Sequence, residues 1–184
     1  MPFRLRSLAL LALLPASACA GGQRAADFTL VDTSGAPWRL SQQHGKALLL
    51  TFGYTHCADT CPSTLAKLVR TAQELGSRSQ QLEIVFVTVD PRRDSPSVLH
   101  RYVGRFDRPG GGRLVALTGS PSQIAAVEKA YHVWSQAMPV RHGHYNVAHG
   151  AAIFLIDGRQ RVRSVQDDED SQASLTRAVN ALLG

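Results

Sequence analysis

Cysteine is scarce in this sequence, with three residues in 184: Cys19, Cys57 and Cys61. A disulfide framework is therefore excluded, and Cys57 and Cys61, four residues apart, close too small a loop to staple a fold. Long hydrophobic runs are also missing. The stretch Leu8–Leu14 is too short to span a bilayer comfortably. No internal repeat or low-complexity block occurs, so solenoids and linker-rich chains are out. The net charge is +6, yet the basic residues are scattered through "PRRDSP", "HRYVGRFDR" and "GRQRVR". No basic stripe interleaves with aromatics, which excludes a nucleic-acid partner. That charge reads as a solvated surface, with an acidic protein partner as its second use.

What is present begins with "MPFRLRSLALLALLPASACAGG". Arg4 and Arg6 precede the short apolar run, and small residues follow it, as in a secretory signal peptide over residues 1–18. "ASAC" is similar to a bacterial lipobox, which would make Cys19 the lipidated mature N-terminus. The competing A-x-A site, Ala18-Cys19-Ala20, would discard Cys19. The lipoprotein is preferred, so the expectation is a periplasmic protein anchored to the membrane by an N-terminal lipid. Residues 19–26 are then a tether and 27–184 one domain, long enough for a sizeable core.

Within that domain strands alternate with helices. "DFTLVDTSGAPWRL" reads as a hairpin around Ser34-Gly35, and "KALLLTFGY" as a doubly covered strand. "STLAKLVRTAQELG" is a helix that starts at Pro62 and stops at Gly76. "LEIVFVTVD" is a second buried strand ending at Asp90. Ser95-Pro96 and Ser120-Pro121 open two more helices on either side of the strand "RLVALTG". The second runs to Trp134. An irregular His-rich segment follows, then a hairpin in "AAIFLIDGRQRVRSV" and a closing amphipathic helix in "DSQASLTRAVNALL". This order predicts an α/β fold with three layers. It resembles the thioredoxin-like architecture, with a central mixed sheet and an N-terminal hairpin.

The cysteines lie in "TFGYTHCADTCPSTLAKL", where a central strand hands over to the first helix, a common site position in open α/β sheets. Nearby N–H groups and the positive helix end favour thiolate there. Thiolates serve redox exchange and soft-metal binding equally well, so the loop alone leaves both open. Two sulfurs under-coordinate a metal, and the best third donor is His149 in "HYNVAHGAAIFLID", just ahead of an apolar strand. Thioredoxin-like redox enzymes commonly place a cis-proline there; an imidazole instead would face the cysteine loop. Two thiolates and an imidazole suit copper as Cu(I) and can hold Cu(II), whereas zinc usually takes a fourth ligand.

The three segments "FGYTHCADTCP", "VTVDPRRDSP" and "YNVAHGAAIFLID" together resemble the Sco/SenC copper-binding proteins, which assist cytochrome c oxidase assembly. The likeness extends from Asp27 to the C-terminus. It implies Cys57, Cys61 and His149 as copper ligands, with Asp90 supporting them from a second layer. Ala58 departs from the family's usual proline, and Ala148-His149-Gly150 from its usual Asp-His-Ser, which bears on fine tuning of affinity. The implied role is a metallochaperone, not a classical enzyme. It would take copper from a periplasmic donor protein and pass it to the CuA site of oxidase subunit II. The alternative is a thiol–disulfide oxidoreductase acting on that subunit's cysteines through Cys57 and Cys61. A peroxiredoxin is excluded, because the positions three and seven before each cysteine lack the required Thr/Ser and Pro. His142 and His144, with Met138 nearby, read as solvated loop residues, with a copper-collecting patch as the second reading. His44, His56, His100 and His132 read as surface residues.

Overall fold

The computed structural model describes residues 22–140 and 145–184. Residues 1–18, expected to be a signal peptide, and Cys19, His142 and His144 lie outside the described residues. Nine strands and four α-helices follow one another, with short 3₁₀ turns between some of them. β1 (Thr29–Asp32) and β2 (Pro37–Arg39) form the hairpin, and Gly35 takes its left-handed turn position at φ 88°. β3 (Ala47–Gly53), β4 (Leu82–Thr88) and β5 (Arg113–Thr118) are the parallel centre of the sheet. β8 (Ile153–Ile156) and β9 (Val162–Gln166) add antiparallel strands at one side. The full order is β2-β1-β5-β4-β3-β8-β9. It is a mixed sheet, as the thioredoxin-like expectation required.

β3 and β4 are buried along their whole length because both faces of the sheet are covered. Leu48, Leu50 and Phe52 point toward α3 (Pro121–Ala130) and the hairpin, alongside Val85, Val87 and Ile124. Leu49 points the other way, into a second core built by α1 (Thr60–Glu74), α2 (Pro96–Val103) and α4 (Gln172–Leu183). A period of two along one strand thus supplies both cores. Ser95, Ser120 and Ser171 cap their helices as side-chain acceptors, and Ser120 closes a capping box with Gln123.

Four expectations need correction. α1 begins at Thr60, two residues before Pro62. The proline falls inside the first turn, where its missing N–H removes no helix bond. α3 ends at Ala130, and Tyr131 and His132 turn the chain, His132 at φ 53°. The stretch read as irregular contains β6 (Ser135–Pro139) and β7 (Tyr145–His149), an antiparallel pair outside the main sheet. Residues 22–25, read as part of a tether, lie beside the turn that leads into β9: Ala25 N–H donates to the Gln160 carbonyl and Val162 N–H to that of Gln23, both at 2.8 Å. Among the described residues no helix is long and apolar enough to cross a membrane.

Candidate functional site

At the carboxyl end of β3 the sheet presents Gly53, and the chain turns through residues 54–59 into α1. This loop is held from across the fold. The fully buried Asp94 carboxylate accepts the Thr55 N–H at 3.0 Å, the Thr55 hydroxyl at 2.5 Å and the Thr88 hydroxyl at 2.6 Å. Cys57 N–H donates to the Tyr54 carbonyl, closing the turn. Cys61 sits in the first turn of α1, and its N–H donates to Cys57 Sγ at 3.3 Å. A helix-end N–H that would otherwise lack a partner thereby holds a sulfur. Gly53 is required beneath it: a Cβ there would stand 2.9 Å from Cys61 Sγ and 2.6 Å from the Phe86 ring.

His149 is the last residue of β7, opposite Ser135 in the β6–β7 register. The hairpin carries it back over the cysteine loop, so that Nε2 lies 3.5 Å from Cys61 Sγ although 88 residues separate the two. Nδ1 lies 2.9 Å from the Gly150 carbonyl. A carbonyl oxygen only accepts, so Nδ1 carries a proton, and Nε2 is the nitrogen that faces sulfur. Gly150 N–H donates in turn to the Trp134 carbonyl at 3.1 Å. The Tyr54 ring meets the imidazole edge-on, centroids 5.9 Å apart at 87°.

The two sulfurs differ in charge. The hydrogen bond from the Cys61 thiol, the largest influence, holds Cys57 far below an ordinary thiol, at about 3. The same bond, together with burial, pushes Cys61 up. Burial works against an imidazolium at His149, but the hydrogen bond to the Cys57 sulfur, the Gly150 bond and the Cys57 charge together raise its pKa. One thiolate, one thiol and one imidazole therefore stand together. With bonds of about 2.3 Å to sulfur and about 2.0 Å to nitrogen, a trigonal ion needs an S···N edge of about 3.7 Å, close to the 3.5 Å found. Among the described residues no group of three or more His, Cys, Asp or Glu side chains is placed to hold a metal ion as it stands. The site is open, with the half-buried Cys57 on its outer side.

Asp90 stands one layer out. It accepts the Tyr145 hydroxyl at 2.8 Å and is ion-paired with Arg93. Arg93 stacks over the Tyr145 ring at 3.7 Å and lies 5.7 Å from the centroid of Tyr54, whose other neighbour is His149. Met138, on β6, is 47% exposed. His44, His56, His100 and His132 are exposed, and His56 Nδ1 lies 3.1 Å from the Thr55 hydroxyl. Asp94 and Gly53 were not singled out from sequence. The 39 residues that separate Asp94 from Thr55 in the chain hide its role from any local reading.

The SCO1/SenC family model matches residues 18–184. The mitochondrial SCO2 homolog of Bos taurus is 37% identical over 155 residues, which is 79% of this chain and 57% of that protein. The chain thus spans little more than half the length of such relatives. A crystal structure of Arabidopsis thaliana ScoI with copper bound superposes with a TM-score of 0.79 at 30% identity, covering 86% of this chain and 97% of that one. A Bradyrhizobium japonicum ScoI structure with copper bound gives 0.76 at 30%, covering 89% and 99%.

Proposed function

Because the chain belongs to the SCO1/SenC family, we propose that it carries one copper ion on Cys57, Cys61 and His149. It delivers that ion, outside the cytoplasm, to the copper site of cytochrome c oxidase subunit II. The observation that carries this reading is the 3.5 Å approach of His149 Nε2 to Cys61 Sγ, made by a hairpin with no other partner strand in the main sheet. Copper is cargo here. Cys57 meets it already ionised, whereas Cys61 has to give up its proton, so loading releases acid. The Gly150 carbonyl keeps the imidazole in the tautomer that can bind. A soft ion held by three donors, two of them sulfur, leaves room for an incoming ligand during transfer.

Reduced protein titrated with Cu(I), then Cu(II), is expected to bind one ion per chain, the Cu(II) form with a thiolate charge-transfer band. Cys57→Ala, Cys61→Ala and His149→Ala each lose it. Full affinity and an unchanged spectrum in His149→Ala would sink the ligand assignment. A second reading, thiol–disulfide exchange on subunit II, is favoured by the inequality of the sulfurs: an ionised, accessible Cys57 to attack and a buried Cys61 to resolve. Under that reading His149→Ala still supports oxidase assembly while Cys61→Ala does not.

A further inference from the structure

The arginines gather where the chain leaves the domain. Residues 22–25 are pinned to β9: Gly22 packs so closely that a Cβ would lie 2.2 Å from the Val162 carbonyl oxygen, and Arg161 Nη1 donates to the Gly22 carbonyl at 3.0 Å. Arg24 is bridged to Arg161 across the same edge. Arg24, Arg159, Arg161 and Arg163 are all exposed there, with Asp157 among them. That aspartate, Asp157, is engaged by the Arg159 and Arg161 N–H groups and the Arg163 guanidinium. Beside them a groove of about 770 Å³ runs between β9 and α4, walled by Asp157, Arg159, Arg161 and Arg163 on one side and Ala178, Ala181, Leu182 and Gly184 on the other. Arginine walls facing small apolar residues suit a phosphate headgroup with the start of an acyl chain.

The sequence before Gly22 points to a membrane as the occupant. Upstream of Gly22 lie 21 residues that include the apolar run Leu8–Leu14 and, three residues away, Cys19. Three residues reach at most about 10 Å. A lipid on Cys19, or an apolar N-terminal segment held in a bilayer, keeps this edge at the headgroups. We infer that the Arg24–Arg159–Arg161 edge is a membrane-facing surface that binds anionic phospholipid. The strand register then sets the posture. Val162 lies level with Ile156 and Leu48, and Gly53 is five residues farther along β3. That separation is about 17 Å, so the cysteine loop points away from the bilayer. This inference stands apart from the copper reading.

The test floats the full chain with vesicles of phosphatidylcholine, alone or with about a third phosphatidylglycerol. On anionic vesicles the bound-to-free ratio is expected to rise about tenfold at about 0.1 M salt, an increment lost at about 1 M. Arg24→Gln/Arg159→Gln/Arg161→Gln removes the increment and leaves binding to neutral vesicles unchanged. Arg24→Gln/Arg159→Gln, which preserves the bond to Gly22, removes most of it. A control of equal charge, Arg101→Gln/Arg105→Gln/Arg108→Gln, sits on and after α2, which packs on β5, four strands and about 19 Å from β9. It keeps the increment. The inference is overturned if the control loses as much as the edge variant, or if the edge variants bind anionic vesicles undiminished. It is equally overturned if the edge variants bind vesicles normally but lose an acidic protein instead.

Discussion

Cys57 and Cys61 differ in depth, and depth decides which sulfur holds the negative charge. Cys61 is 4% exposed and rests on Gly53, whereas Cys57 faces outward and receives both the Cys61 N–H and its thiol. Alkylation of reduced, metal-free protein is therefore expected to label Cys57 first, at a rate nearly flat from neutral pH down to about 4. An ordinary thiol slows about tenfold for each unit below its pKa. A tenfold fall per unit between pH 8 and 5 would show that Cys57 is not the ionised partner. Stability follows the same shift. A thiol whose pKa drops on folding adds stability that is complete only above its unfolded value, 9.0, and is lost as pH falls toward about 3. His149, shifted up, complicates the range above its unfolded 6.5. The clean window is about pH 3 to 6, where the melting temperature of wild type should climb relative to Cys57→Ser as pH rises.

Between residue and fold stands the loop, and Asp94 is its anchor. With three donors converging on one buried carboxylate, Asp94→Asn turns one acceptor into a donor facing a hydroxyl or an N–H. The expected cost is about 2 kcal/mol in a thermal melt. Copper affinity should fall about tenfold in competition with a Cu(I) chelator, because the loop holding Cys57 is freed. Unchanged affinity would mean that the loop keeps its shape without this anchor. The elements around the site were unevenly legible. β3, β4 and the serine-capped helices stand out in the sequence because apolar runs and caps are local signals. β6 and β7 do not, since "SQAMP" and "YNVAH" lack alternation and are paired only with each other. The hairpin that lifts His149 to the sulfurs was thus the least readable part of the site. The residue itself stands out by its place just ahead of the apolar strand β8, not through β7. Asp94 stayed hidden for a related reason: its partners come from the ends of two other segments, and no spacing in the chain encodes that meeting.

At the scale of the molecule, one fully buried carboxylate ties the hairpin to the sheet. Glu83, in β4, accepts Trp38 Nε1–H from β2 at 3.2 Å and Arg113 from β5 at 3.1 Å, with Lys46 at 3.6 Å. Glu83→Ala leaves an indole N–H without a partner and two cations without their counter-charge. A loss of about 3 kcal/mol in urea unfolding is expected, while copper stoichiometry is retained. A loss of copper binding in the folded variant would mean that the hairpin end and the cysteine end are coupled. The far edge of the sheet carries another consequence. Residues 22–25 pair with residues 160–162 at the start of this edge, whose hydrogen-bonding groups would otherwise invite a foreign strand. A chain beginning at Cys19 or Gly21 keeps this cover; one beginning a few positions later loses it. The fold itself thereby sets a downstream limit on trimming from the N-terminal side, and molecules shortened beyond it should be recognised by their tendency to self-associate.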